Sequence, residues 1–310
     1  MFTSRQEVWA VGESWPPPGG QGSGDRVLLH SSDGGQTWTE VPHTEHYAAA
    51  PSVTFLDAKT GWVRTYKGYL FEEVLLETRN AGKNWKDVTG KFPVFPRILD
   101  ARHWWGVEMA PREHPADGRL WKRTILRTED AGRSWQRSQV PDEAGDFPVL
   151  SFLSWDVGWA TNVSGGGFQV FRTTDGGKTW DKTMTTPTKP PVGVTDICFI
   201  DKTRGWLLAD YNLHEGLTGN GSYLFATIDG GKTWTLQETG ALRDGPAFWM
   251  NFLSERLGLL AQEGALVYTV DLGAHWHRIE VPDLVTGCQA FEADVLCGGL
   301  NLAVLTMHPK

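Results

Sequence analysis

Thr173-Thr174-Asp175-Gly176-Gly177-Lys178-Thr179-Trp180 lies between two short β-prone runs and reads as the tight connection of a hairpin. A short Asp side chain accepts hydrogen bonds from backbone amides just ahead of it, and Gly supplies the positive φ that such a turn needs. The octet therefore closes on itself, and Trp180 opens the next strand with a large ring to bury against the neighbouring unit. Five more copies end at Trp38, Trp85, Trp135, Trp234 and Trp276. A spacing of about 40 to 55 residues is that of one supersecondary unit repeated along the chain. Asp33, Asp130, Asp175, Asp229 and Asp271 hold the carboxylate position, while Asn80 replaces it in the second copy and His275 replaces the Thr in the sixth. Asn makes the same kind of turn and all six Trp persist, so the drift reads as structural variation. The turn position of each copy offers at most one carboxylate where a calcium loop needs several oxygens, and no metal is expected there.

A second phrase precedes each octet: an apolar anchor followed seven positions later by Trp or a small apolar residue, in Phe55/Trp62, Ile98/Trp105, Phe152/Trp159, Phe199/Trp206 and Phe252/Leu259. The residues between are turn-like, as in Asp57-Ala58-Lys59-Thr60-Gly61, so the phrase predicts a first strand, a short turn and a second strand. Third strands follow at Val27 to His30, Val74 to Glu77, Ile125 to Arg127, Val170 to Arg172, Leu224 to Ala226 and Leu266 to Tyr268. Four strands per unit is the blade of an all-β, four-stranded antiparallel propeller, with the octet between third and fourth strands. Phe2/Trp9 obeys the anchor spacing, so the chain starts inside a first strand and the native terminus is open to extension upstream. Phe291/Gly298 is a seventh anchor, followed by the apolar run Leu302 to Thr306 with no octet. The expectation is a single domain over residues 1–310, seven-bladed with an incomplete last blade, and six blades as the alternative.

A net charge of −8 with no basic run argues against nucleic acid as a partner. No apolar run reaches the length of a membrane span, and Met1 to Ala10 lacks a signal-peptide core. Most of the sixteen Trp fall at octet and anchor positions and are packing residues first. Cys198 lies in an apolar first strand, whereas Cys288 and Cys297 flank the seventh hairpin; if it turns at Glu292-Ala293 they face each other and a disulfide can form. An odd count of three cysteines leaves that pairing open.

Strand order puts the octets and first-to-second turns at one end of every unit, and the second-to-third loops and unit connectors at the other. The second end collects the length variation: Glu13 to Asp25, Met109 to Lys122 and Asp210 to Ser222. Long loops on a rigid frame are where binding concentrates. The candidate binding residues there are His46, Tyr47, Arg64, Tyr66, Tyr69, Arg112, His114, Tyr211, His214 and Arg243, a mix of aromatic and charged groups suited to an interface. No His-x-His or Cys-x-x-Cys spacing points to a metal, and no catalytic residue or cofactor is assigned.

Repeated Ser/Thr-x-Asp-x-Gly-x-Thr-Trp resembles the Asp-box, or bacterial neuraminidase repeat, of β-propellers. With Gly61-Trp62, Gly158-Trp159, Gly205-Trp206 and Phe171-Arg172-Thr173, the whole chain resembles the photosystem II assembly and stability factor family and its bacterial relatives. The resemblance implies a seven-bladed, non-enzymatic scaffold for a protein partner, in an exported compartment beside membrane complexes. This chain departs from that family in its large second-to-third insertions and in having no obvious Arg-rich patch. Two other classes share the box. A sialidase needs an arginine triad, for which Arg64, Arg97 and Arg123 are available, with Tyr66 or Tyr69 as nucleophile. A carbohydrate-binding propeller would stack sugars on Trp15, Trp104, Trp121, Trp155 or Trp249, the aromatics outside the repeat positions.

Overall fold

The computed structural model describes residues 3–4, 6–14, 25–41, 52–67, 72–94, 96–111, 121–139, 149–164, 167–187, 192–211, 221–237, 239–240, 242, 246–253, 256–262, 264–281, 285–291 and 294–299. Among them every regular element is a β-strand. Blade 1 holds β1 (Val8–Ser14), β2 (Asp25–Ser31) and β3 (Thr39–Glu40). Blade 2 holds β4 (Ser52–Phe55), β5 (Gly61–Lys67), β6 (Glu72–Thr78) and β7 (Lys86–Asp87), and blade 3 holds β8 (Arg97–Ile98), β9 (Trp104–Pro111), β10 (Trp121–Thr128) and β11 (Gln136–Gln139). Blade 4 holds β12 (Val149–Phe152), β13 (Gly158–Ser164), β14 (Gly167–Thr173) and β15 (Asp181–Pro187). Blade 5 holds β16 (Val192–Phe199), β17 (Gly205–Tyr211), β18 (Gly221–Thr227) and β19 (Thr235–Gln237). Blade 6 holds β20 (Ala247–Phe252), β21 (Gly258–Gln262), β22 (Ala265–Thr269) and β23 (His277–Glu280), and a hairpin of β24 (Val285–Phe291) and β25 (Asp294–Gly299) follows.

Each blade is an antiparallel meander in chain order, and blades 2 to 6 have four strands. The propeller class is therefore confirmed, but the seven-bladed expectation is corrected to six box-bearing blades, the alternative. The seventh anchor lies in the two-stranded sheet β24-β25. The physical reason is the missing turn, since no box follows Gly298 to turn a third strand into a fourth; Leu302 to Thr306 lies outside the described residues. The chain forms two compact units, Met1–Ala101 with Val285–Lys310, and Arg102–Leu284.

The anchors pack between blades. Trp159 of β13 lies flat on Phe199 of the next blade, with centroids 3.5 Å apart, and Trp206 of β17 stacks on Phe252 at 3.8 Å. Trp9 and Phe55 repeat the pairing in the first unit at 5.0 Å. The box Trp then meets the same anchor edge-on, as Trp234 does Phe199 and Trp276 does Phe252. Each anchor ring is thus held on its face by the preceding blade and edge-on by the box Trp of its own, the latter an arrangement that aromatic quadrupoles favour. Within a blade the anchor sits in register with the Gly of Gly-Trp, Phe199 opposite Gly205 for example. A Cβ on Gly205 would lie 2.5 Å from the Phe199 ring, so the glycine is there to let the ring fold over it.

Candidate functional site

Blade 5 shows what the box does. The Thr227 hydroxyl donates to Asp229 Oδ1 at 2.9 Å and accepts from the Gly231 amide at 3.0 Å. Asp229 Oδ1 also accepts the Lys232 and Thr233 amides at 2.9 Å, and its Oδ2 accepts the Thr233 hydroxyl at 2.6 Å. Trp234 Nε1 closes the loop on the Gly231 carbonyl at 3.1 Å. Partial burial pushes the Asp229 carboxyl up, but these donors outweigh it and hold it at about 2. In Asp33 the Thr37 hydroxyl and amide lead, again to about 2. The box is therefore a self-satisfied anion whose oxygens are spent on its own loop. Asn80 keeps the same acceptor contacts, from Thr78 Oγ1 at 3.0 Å and the Asn84 amide at 3.0 Å. His275 replaces the hydroxyl by placing Nδ1 2.7 Å from Asp271 Oδ2. Positive φ is kept even where Gly is lost, at Ala81, Ala131 and Leu272. Among the described residues no group of three or more His, Cys, Asp or Glu side chains is placed to hold a metal ion.

A further recurrent cap was missed in the sequence. Two positions after the anchor, Asp57 and Asp201 each accept two amides of the first turn, and Ser4 and Ser154 do the same work with a hydroxyl. The alternation of Asp and Ser at one offset from Phe was the signal. That turn then binds the box directly, since the Gly230 amide donates to the Thr203 carbonyl at 2.8 Å. Between blades, Trp159 Nε1 donates to the Gly230 carbonyl at 3.0 Å, and in the preceding pair Arg127 Nη1 donates to the equivalent Gly176 carbonyl. Arg127 is 4% exposed, with its guanidinium 3.5 Å over the Trp155 ring. Burial draws its pKa down to about 10, against Asp156, Glu129 and Asp175, which raise it.

These contacts bear on the aromatics considered for sugar stacking. Trp104 is 2% exposed, and Trp155 is covered by Arg127 on one side and meets His103 at 5.0 Å. Trp249 is half-buried on β20. Trp15 and the side chain of Trp121 lie outside the described residues.

At the opposite end of the blades, the strands of second-to-third pairs run long and remain in register to their tips. Trp121 pairs with Pro111, and Gly221 with Tyr211. The connecting segments alternate in length: residues 15–24, 112–120 and 212–220 in blades 1, 3 and 5, but only 68–71, 165–166 and 263–264 in blades 2, 4 and 6. Of the candidate binding residues, Arg64 is exposed in the middle of β5, in register with Ser52 and Leu75. Tyr66 lies two residues further along β5, and Tyr211 ends β17. His46, Tyr47, Tyr69, Arg112, His114, His214 and Arg243 lie outside the described residues. For the sialidase triad, Arg64 and Arg97 are exposed, and the side chain of Arg123 is not among those described.

The fold and its turns define a β-propeller built on Asp boxes. The family model described as BNR/Asp-box repeat matches residues 171–182, the blade 4 copy. No curated protein matches the chain in sequence. Among solved structures, one described as "YCF48 bound to D1 peptide" is similar over 96% of this chain and 86% of its own, at 18% identity and a TM-score of 0.59. YCF48 from Cyanidioschyzon merolae is similar over 98% and 96%, at 17% identity and a TM-score of 0.59. An ancestral GH74 enzyme matches over 92% of this chain and 39% of its own, at 12% identity and a TM-score of 0.54. At these identities the likeness is one of fold. No helix among the described residues is long and apolar enough to cross a membrane.

Proposed function

We propose that this chain is a non-enzymatic binding scaffold that takes a polypeptide partner at the long-loop end of its blades, with residues 1–310 working as one domain. The observation that carries this reading is the contrast between the two ends of one blade. At the box end the polar groups are consumed by their own turns, while at the other end blades 1, 3 and 5 carry their insertions on strands paired to the tips. Rigid strands with long variable loops are the usual platform for recognition. The fold shared with YCF48, one structure of which holds a D1 peptide, supports a protein as the partner class. The candidate residues His46, Tyr47, Arg64, Tyr66, Tyr69, Arg112, His114, Tyr211, His214 and Arg243 are the proposed contacts with that partner. An exported compartment is part of the proposal, supported by the disulfide between Cys288 and Cys297. Carbohydrate binding is the weaker alternative, because Trp104 is buried and Trp155 is stacked within the protein.

Affinity capture from native soluble and membrane extracts tests it, using the intact chain, a Tyr66→Ala/Arg112→Ala/His214→Ala variant, and a box-end control, Lys178→Ala/Lys232→Ala. A protein held by the intact chain and the control but lost from the first variant is the expected result. Equal capture by all three would move the partner surface elsewhere. Recovery of no protein, with a positive glycan array, would replace the reading by sugar binding.

A further inference from the structure

The terminal hairpin carries no box, the turn that closes every other blade. A two-stranded sheet alone is marginal in water, and β24-β25 is followed by no box. Besides the ladder, a covalent bond joins its strands. Cys288 and Cys297 are register partners with Cα atoms 4.0 Å apart, and their sulfurs are bonded. The hairpin follows blade 6 in sequence but belongs to the unit of Met1–Ala101, where β25 packs against β1. The disulfide therefore braces the hairpin internally, tying β24 to the strand, β25, that lies against β1. β1 itself is the lateral strand of the three-stranded sheet of blade 1, in the order β1-β2-β3.

We propose that the Cys288–Cys297 bond is a redox clasp: oxidised, it holds β24-β25 as a fixed hairpin against β1, and reduction by a dithiol donor releases the hairpin and uncovers β1. The two sulfurs differ in access. Cys297 is 1% exposed, whereas Cys288 is half-buried, so the donor's thiolate attacks Sγ of Cys288. The Sγ–Sγ bond breaks, and Cys297 leaves as a thiolate and takes up a proton. The donor's second thiol then attacks the donor sulfur of the mixed disulfide, freeing Cys288 and leaving the donor as a disulfide. Two electrons pass from donor to protein. Cys198 takes no part, since burial pushes its thiol up to about 11 and it remains protonated.

The test begins with alkylation of the air-oxidised, denatured protein without reductant, where mass spectrometry is expected to show one modified cysteine, Cys198. Hydrogen exchange of the folded protein is then followed with and without dithiothreitol. Reduction is expected to speed exchange roughly thirtyfold in β24, β25 and β1 and to leave β16 to β19 unchanged. The Cys288→Ser/Cys297→Ser variant should show the fast pattern at once and not respond to dithiothreitol. Of the single variants, Cys288 in Cys297→Ser should react faster with a disulfide reagent than Cys297 in Cys288→Ser. Three alkylated cysteines at the outset, a bond that resists dithiothreitol in the folded protein, or unchanged exchange after complete reduction would each overturn the clasp. A reversed order of labelling would overturn the attack on Cys288.

Discussion

Blade 5 and the terminal hairpin fasten short antiparallel strands by different means. In blade 5 the outer hairpin closes through Asp229 and its four donors, and the blade is locked to its predecessor by Trp159 on Phe199 and by the indole bond to the Gly230 carbonyl. In the hairpin there is no box, and a cross-strand disulfide joins the partners in register. Many local contacts close the one; in the other a bond that chemistry can open adds to the backbone ladder. The difference teaches that a repeat loses its terminal copy gracefully only when another constraint replaces the missing turn.

The largest expected effect lies on the blade 5 side. Trp159→Ala removes a fully buried ring and the bond to the Gly230 carbonyl, and should cost about 3–5 kcal/mol in chemical denaturation. A loss under about 1 kcal/mol would break the view that inter-blade stacking dominates. Next comes Cys288→Ser/Cys297→Ser, expected to cost about 2–3 kcal/mol for so short a covalent loop. Were it to cost as much as Trp159→Ala, the hairpin would be integral to the fold and not a fastened appendage.

Asp229→Ala should cost about 1–2 kcal/mol, since the amides it leaves lie near solvent and water replaces part of what is lost. Proteolysis within residues 228–234 would report the loosened turn. The smallest effect is one of pH. Asp229 titrates at about 2 when folded, below its ordinary value of 3.8. An unfolded chain therefore binds the proton first, so the stability this group adds is full above about pH 4 and is lost as pH falls towards 2. Asp229→Asn, which copies the Asn80 box, should flatten that portion of the acid-unfolding curve. An unchanged curve would mean that the carboxylate charge adds nothing beyond the hydrogen bonds that an amide also makes.

The octets and the seven-residue anchor spacing made the strands, their order and the box turns legible, because each is fixed by contacts within a few residues. Other readings depended on distance. Phe199 and Trp206 sit in one phrase, yet Phe199 stacks on Trp159 of the preceding blade and Trp206 on Phe252 of the next. The spacing was right, and the partner was one blade away. Trp155 stood out as an unexplained aromatic, but nothing in its neighbourhood showed that Arg127, in another blade, would lie across its face. The proposed binding residues come mostly from loops whose convergence no local rule dictates, and only Arg64 is placed with its side chain, exposed on β5.

By itself the sequence determined the blade as a unit, since Asp, Gly and Thr at fixed offsets satisfy their own backbone without help from elsewhere. It also placed Cys288 and Cys297 at facing positions of a hairpin. Tertiary structure decided which rings pair and that the sulfurs are joined. Those outcomes turn on long-range packing, which the spacing of neighbouring residues does not encode.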